Sequence, residues 1–441
     1  MQSFRSEIEN PVVEKDILDL AKKIAQFKAG EIHEEKFRSL RLARGVYGQR
    51  QQGVQMIRIK LPYGKIQFHQ WKRISDISDE YSTGNLHLTT RQDIQIHYVS
   101  LDRTPELWAK LEQDDITLRE ACGNTVRNIT ASPTSGIDPK ELFDVSPHAD
   151  AAFRYFLRNP ICQEMGRKIK MSFSNTDEDT SLAYLHDVGF IPKIVDGKRG
   201  FKVVVGGGLG AQPMLAHVAH EFLAENEVIP FIEAILRVFD RHGERNSRHK
   251  ARMKFLIQKI GFEEFMNLVN AETKALKNHS FAIADASAWE VAEPTLQADI
   301  AAPETAEYQT WIDTNTFEQK QKGFHAVYVR ILNGNISSTT SRSLIEALNG
   351  YIGDDIRITI NQGLMLKYVP TANLAYVYSV LDAHGLAAPG ANSIANITAC
   401  PGTDTCNLAI SDSTNITSKL EAVISEEFPA LIHDSAMKIK I

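Results

Sequence analysis

The sequence predicts an α+β fold in which two copies of a strand–helix–strand unit pair about a pseudo-twofold axis, with α/β material between them. Two observations carry this. Gly53 to Val99 aligns without a gap on Gly323 to Val369, an offset of 270 positions (323 less 53). Within that stretch Leu86, Leu88, Ile94, Ile96 and Tyr98 share one parity, while His87, Thr89, Arg91, Asp93 and His97 share the other. Self-similarity at a fixed offset marks a repeated structural unit, and a period of two marks a strand with one buried face. Neither copy is long enough to cover its own sheet. The two should therefore pair, and a site between them should draw residues from both.

In the first copy GVQMIRIKLPYGKI leads through a helical stretch to LHLTTRQDIQIHYV; in the second GFHAVYVRILNGNI leads to IRITINQGLMLKYV. Gly64 matches Gly334, Gln92 matches Gln362 and Tyr98 matches Tyr368. A further echo, offset by 268 (396 less 128), sets Asn128–Pro133 against Asn396–Pro401, so that Cys400 stands where the first copy has Ser132. Between the copies, strands at Lys168–Phe173 and Lys202–Val205 are followed by helical stretches through Leu276. Residues 282–310 are rich in Ala, Glu and Pro and read as a linker. The tail from Thr417 returns to a helix and a starting strand, MKIKI. The expected segments are an N-terminal helix and arm (1–50), a first repeat domain (51–121), an α/β domain (122–281), a linker region (282–320), a second repeat domain (321–390) and a C-terminal domain (391–441).

Composition narrows the function. The 441 residues are 43% hydrophobic, ample for a large core, and the net charge of -6 argues against a general nucleic-acid binder. No apolar run is long enough for a membrane span. The N-terminal stretch MQSFRSEIENPVVEKDILDLAKKIAQF lacks the basic-then-apolar order of a leader. Four cysteines in such a chain make no disulfide framework; a cytoplasmic location fits, where paired cysteines more often hold metal.

Five stretches could carry chemistry. Cys400-Pro-Gly-Thr-Asp-Thr-Cys406 offers two thiolates, half of the set of about four that a structural zinc or an iron–sulfur cluster takes. The alternative is a pair of small buried side chains. Lys168, Lys170, Ser172 and Ser174 share one face of an alternating strand, which reads either as a lysine-guarded edge or as a face aimed at an anion. Arg58 and Arg127 are singly unremarkable, yet the second copy has Tyr328 where the first has Arg58, as a site charged mainly by one half would require. Val205-Gly206-Gly207-Gly208-Leu209-Gly210-Ala211 follows an apolar strand and satisfies G-x-G-x-x-A, so an NAD(P)-dependent dehydrogenase competes; the acidic second strand of that motif is missing. Arg245, Arg248 and Arg252 fall on one face if the stretch is helical, either a solvated face or a polycarboxylate site.

Taken together, nine stretches in order resemble the siroheme-dependent sulfite and nitrite reductases, from about Phe37 to Ile441: VYGQR, MIRIKLPYG, LTTRQDIQIH, VRNITASP, GRKIKM, VGGGLG, RHKARMKFLIQKIG, IRITINQG and ACPGTDTC. The resemblance implies two ferredoxin-like half-domains plus α/β siroheme-binding domains. It implies six-electron reduction of sulfite to sulfide or nitrite to ammonia at siroheme coupled to a [4Fe-4S] cluster, with electrons from a separate ferredoxin or flavoprotein. By motif position Arg58, Arg127, Lys168 and Lys170 would surround the substrate anion. Arg91, Gln92, Gly206, Gly207, Gly208, Gly210, Arg248 and Arg252 would contact siroheme, and Cys400 and Cys406 would ligate the cluster. Lys170 points towards sulfite, since nitrite-specific relatives often carry asparagine there. His87 stands where relatives often have arginine. The family's second cysteine pair would follow MKIKI, and Cys122 and Cys162 lie away from its ligand positions; the expectation is therefore a chain truncated before that pair, or a paralogue that binds siroheme without turnover.

Overall fold

The structure, a computed structural model, describes residues 10–210, 212–284 and 291–441. The first nine residues of the stretch searched for a leader, Ala211 of the glycine-rich stretch and residues 285–290 of the predicted linker lie outside them.

Helix α1 (Pro11–Lys28) buries Val13, Ile17, Leu20 and Ile24, a stripe at helical spacing, and the Asn10 side chain caps it by accepting from Val12 N. Helix α2 (Glu34–Leu42) buries Phe37. The first repeat then runs β1 (Val46–Gly48), β2 (Val54–Ile59), β3 (Lys65–Ile66), α3 (Phe68–Tyr81), β4 (Asn85–Leu88), β5 (Ile94–Ser100) and α4 (Thr104–Glu112). Trp71, Ile74 and Ile77 of α3 and Leu107, Trp108 and Leu111 of α4 join one core with Leu86, Leu88, Ile94 and Ile96 of the sheet. The apolar parity read from the sequence faces this core through Ile96, but a register shift against β2 puts Val99 inside and leaves Tyr98 39% exposed; His87, Thr89, Arg91 and Asp93 of the other parity are buried as well, so the strand is covered on both faces rather than half-buried.

The described residues between Arg119 and Ala284 form a separate compact unit. It contains β6 (Thr130–Ala131), α5 (Ser146–Phe156), β7 (Met171–Phe173), β8 (Val188–Val195), β9 (Lys198–Val205), β10 (His217–Ala224), α6 (Val228–His242), α7 (Met253–Ile260) and α8 (Phe262–Ala275). Its sheet has the order β10-β9-β8-β7-β6, with β6, β7 and β8 parallel and the rest antiparallel. Phe173, Phe190 and Phe201, one from each of three neighbouring strands, form its aromatic core.

The other unit resumes with α9 (Ala306–Asn315), β11 (Thr316–Glu318), β12 (Phe324–Val329), β13 (Asn335–Ser337), α10 (Ser338–Leu348), β14 (Ile356–Ile358), β15 (Leu364–Pro370), α11 (Leu374–Ala383) and α12 (Ser413–Glu427). Each element from β11 to α11 answers its first-copy counterpart at the predicted offset. Helix α9 falls inside the span read as linker, because Trp311 is completely buried in the common core.

The two sheets are not separate. Strand β13 of the second copy pairs with β4, giving the order β1-β2-β5-β4-β13, and β3 of the first copy pairs with β14, giving β11-β12-β15-β14-β3. At each crossing a glutamine in the left-handed region, Gln92 (φ 57°) or Gln362 (φ 61°), donates from Nε2 to the opposite copy, to Ile358 O (2.9 Å) or Leu88 O (3.1 Å). Glycines make the close approach possible. A Cβ on Gly64 would lie 2.6 Å from Ile358 O, and one on Gly334 would lie 2.6 Å from Leu88 O; both residues have positive φ. Gly64→Ala and Gly334→Ala should therefore each lower stability by about 3 kcal/mol, combining backbone strain and overpacking. Gly53→Ala, also at positive φ but with nothing within 4 Å of the new Cβ, should cost only about 1 kcal/mol. Urea unfolding of the three variants decides it; equal losses would remove the close approach as the cause.

Candidate functional site

On the polar face of the first sheet one rung crosses four strands: Arg58 on β2 pairs with Gln95 on β5, Gln95 with His87 on β4, and His87 with Asn335 on β13. The Gln95 carboxamide oxygen accepts from Arg58 Nη2 and Nε, and Arg58 Nη1 stands 3.6 Å from buried Asp93. His87 Nδ1 is 3.0 Å from Asn335 Oδ1, an acceptor, so that nitrogen carries the proton and donates. Burial pulls His87 down to about 4 despite this hydrogen bond, and Arg58 pushes the same way; burial, His87 and Arg58 pull His97 to about 3. Both rings are neutral near pH 7. A cavity of about 300 Å³ opens over this rung, lined by Thr83, Asn85, His87 and His97 and, opposite, by Pro401, Asp404, Thr405 and Thr414.

The same rung in the second sheet reads Tyr328, Met365, Arg357 and Lys65. Here Asp355 grips Arg357 through Nε (2.5 Å) and Nη2 (2.9 Å). Burial raises the Asp355 pKa, but Arg357, Lys367 and Lys65 together outweigh it and hold the carboxyl well below the usual range. One backbone thus carries, in one copy, a hollow rung whose one charge is Arg58 and, in the other, a filled ionic one.

The loop opposite the cavity carries Cys400, exposed, and Cys406, half-buried. Cys406 N donates to Gly402 O (3.1 Å), and Cys400 Sγ lies 3.4 Å from Ser413 Oγ at the start of α12. The loop rests on the first copy: Arg50 N donates to Thr405 O (2.8 Å) and Gln51 Nε2 to Asp404 O (2.7 Å). One exposed and one half-buried thiol on a backbone-anchored turn suit metal ligation. Among the described residues no group of three or more His, Cys, Asp or Glu side chains is placed to hold a metal ion, so this turn fits half of a cubane's ligand set. Cys122 and Cys162 are buried in the other unit, at 3% and 0% exposure.

In that unit, Val126 bridges Ile169 in parallel register, Arg127 N donates to Ile169 O (2.9 Å), and both apolar residues are buried. Arg127, Lys168 and Lys170 therefore share the opposite face of this strand pair. Carbonyls of Gly123 and Ala121 hold the Arg127 guanidinium at Nε (3.0 Å) and Nη1 (3.3 Å). The lysine strand lies inside the sheet, between β6 and β8, so the guarded-edge reading is corrected.

One residue that sequence reasoning missed ties this region together. Asp187, fully buried, accepts from Lys170 N (2.8 Å) and from Arg252 Nη2 at both carboxylate oxygens (2.8 Å each), and its carbonyl accepts from Gly206 N (2.9 Å). It joins the lysine strand, the glycine loop and the basic stretch, which lie far apart in sequence. Lys254 Nζ completes the loop's support by donating to Gly208 O and Leu209 O (3.2 Å each) and Gln212 O (2.5 Å). Gly207 admits no side chain, since a Cβ would lie 2.2 Å from Tyr184 O, while Gly210 is open and exposed.

Several expectations change. The glycine stretch is followed by strand β10, antiparallel to β9, rather than by a helix, which removes the dinucleotide-binding geometry. Arg245, Arg248 and Arg252 do not share a helix face: α6 ends at His242, Arg248 sits exposed in a short 3-10 turn, and Arg252 stands just before α7. Arg252 is bound to Asp187, and Gln92 serves the crossing between copies. Arg91, 7% exposed, sits in the β4–β5 turn with its N donating to Thr89 Oγ1 (3.2 Å).

Comparison with known proteins agrees with this architecture. Residues 122–277 match the nitrite and sulphite reductase 4Fe-4S domain, and residues 47–114 and 317–384 each match the nitrite/sulfite reductase ferredoxin-like half domain. The chain belongs to the nitrite and sulfite reductase family, and its two repeats are ferredoxin-like half-domains. Sulfite reductase [ferredoxin] 1 of Mycolicibacterium paratuberculosis is 27% identical over 84% of this chain and 66% of its own length. The assimilatory ferredoxin-dependent nitrite reductase of Haloferax mediterranei is 28% identical over 85% of this chain and 66% of its length. The chain therefore spans just under two thirds of these relatives. The solved structure of the Mycobacterium tuberculosis NirA protein superposes with a TM-score of 0.80 over 96% of this chain and 78% of its own, at 24% identity, and shows the same fold.

Asp187→Asn leaves the Arg252 guanidinium, 13% exposed, without its carboxylate. It should cost about 3–5 kcal/mol, and Asp187→Asn combined with Arg252→Gln should lose markedly less than the two single losses added together. Thermal unfolding of the set tests this; additive losses would mean that the pair is not the linking contact.

Proposed function

We propose that the chain forms the body of a reductase that delivers six electrons to an oxyanion, sulfite or nitrite, at siroheme coupled to a [4Fe-4S] cluster. The observation that carries it is the common face of Arg127, Lys168 and Lys170: backbone carbonyls hold the Arg127 guanidinium, and Asp187 pins the lysine strand at Lys170 N. Family membership supports the cofactors. The names of the two relatives above support a ferredoxin as electron donor.

Cys400 and Cys406 would supply thiolates to the cluster. Arg91 and the Gly206–Gly210 loop would face siroheme, with open space left beside the backbone at Gly210. Arg248 contributes at most from the surface, and Arg252 acts through Asp187. When bound, the two groups supply the electrons and the iron to which the anion attaches. The side chains supply the rest. Arg58 and Arg127 would orient the anion and offset its repulsion from an electron-rich centre, the role a planar guanidinium with its fork of donors suits. Lys168 and Lys170 can both hold charge and release protons, as departing oxygens need when they leave as water. Lys170 adds a second ammonium beside the anion, which favours doubly charged sulfite over singly charged nitrite.

A visible absorption spectrum of the purified chain tests for siroheme, and sulfite turnover tests the reductase reading. Arg127→Ala or Lys168→Ala should lower kcat by roughly 100- to 1000-fold, the worth of one charged donor in a water-poor site, with siroheme content unchanged. Near-wild-type turnover would return these residues to structural charges. Lys170→Asn should lower the ratio of kcat/KM for sulfite to that for nitrite; an unchanged ratio would sink the preference for sulfite.

A further inference from the structure

Gln362 has a second attachment besides Leu88. Its Oε1 accepts from Ala399 N (2.8 Å) and its Nε2 donates to Ala399 O (2.9 Å), so one carboxamide satisfies both backbone groups of the residue before Cys400. The same Nε2 donates to Leu88 O (3.1 Å) and lies 3.5 Å from His87 Nε2, the acceptor nitrogen of that neutral ring. Gln362 is 3% exposed and Ala399 4%. On the far side Cys400 N donates to Ile441 O (3.0 Å). The peptide leading into Cys400 is thus held as firmly as a strand rung, although its partner is a side chain. A carboxamide suits the task because it presents an acceptor and a donor side by side, as a neighbouring strand does.

We propose that Gln362 is a positioning residue for the Cys400 thiol, fixing it relative to Cys406 and to the His87 rung. The proposal rests on the reading of these two cysteines as metal ligands. Cys400 is the member of the pair that most needs it. Its side chain is exposed and meets Ser413 Oγ at its tip, whereas Cys406 is anchored within its own turn through Gly402. A ligand pair binds more tightly when both sulfurs are held at one spacing before metal arrives, since otherwise binding must also order the turn.

The test uses the full chain, reduced and free of metal under anaerobic conditions, with Cd²⁺ as probe and its thiolate charge-transfer absorption as signal. Iodoacetamide labelling, read by peptide mass spectrometry, follows Cys400 and Cys406 separately. Gln362→Leu should weaken Cd²⁺ binding at least 10-fold and change the Cys400-to-Cys406 labelling ratio at least fivefold. Gln362→Glu keeps the acceptor for Ala399 N but loses both donors, so it should fall between; it also decides the matter if the leucine variant does not fold. A glutamine that only stabilised the fold would lower the melting temperature and leave both readouts unchanged, and that result in a folded variant overturns the proposal. If Cys406→Ser binds Cd²⁺ as well as wild type, the ligand-pair reading fails instead, and the labelling ratio alone decides whether Gln362 positions Cys400.

Discussion

The reciprocal exchange of β3 and β13 is the contact on which the rest of the larger unit depends. A two-residue and a three-residue strand are too short to stand alone, yet each completes the other copy's sheet. Because the exchange runs both ways, neither half can shift register without disturbing both sheets. The polar rung inherits that rigidity. His87 is fixed from one side by its own strand and from the other by Asn335, which belongs to the opposite copy. The cavity above it therefore has walls set by both halves of the chain.

Duplication fixed the backbone and left the chemistry free to diverge. Corresponding positions carry His87 and Arg357, His97 and Lys367, Asn85 and Asp355. In the second copy the cations meet an internal carboxylate, so the charge is consumed within the protein. In the first copy the rung is neutral apart from Arg58, and space remains. The same strand geometry therefore gives a solid support on one side and a hollow on the other, with side-chain volume and charge as the only variables.

Much of this was legible in the residues. The offset of 270 located the strand–helix–strand unit of both half-domains, because a duplicated core must preserve its apolar spacing. The exchange itself was not legible, since Lys65-Ile66 and Asn335-Ile336-Ser337 are too short to leave a periodic signal. In the inserted unit Gly206–Gly210 suggested a strand leading into a helix, and the structure has a hairpin; glycines permit a sharp turn but do not dictate whether a helix or a strand comes after it. Asp187 escaped notice because a lone aspartate before an apolar run looks like a turn residue. Its weight comes from three partners, Lys170, Gly206 and Arg252, that only folding brings together. Gln362 was visible only as a match to Gln92.

The exchange also sets an order of events during synthesis. Asn85 and its cross-strand neighbour Asn335 are 250 residues apart, and the whole inserted unit is made between them. At a ribosomal rate of about 5–20 residues per second, the outer edge of β4 waits on the order of 10–50 seconds for its partner. For that interval an unpaired strand edge is presented to every other nascent chain nearby. The inserted unit, whose sheet is built entirely from its own strands, needs no such wait and can fold first. High contact order in the paired half-domains makes them the slow step of assembly, and the point at which expression rate and temperature decide between folded and aggregated product.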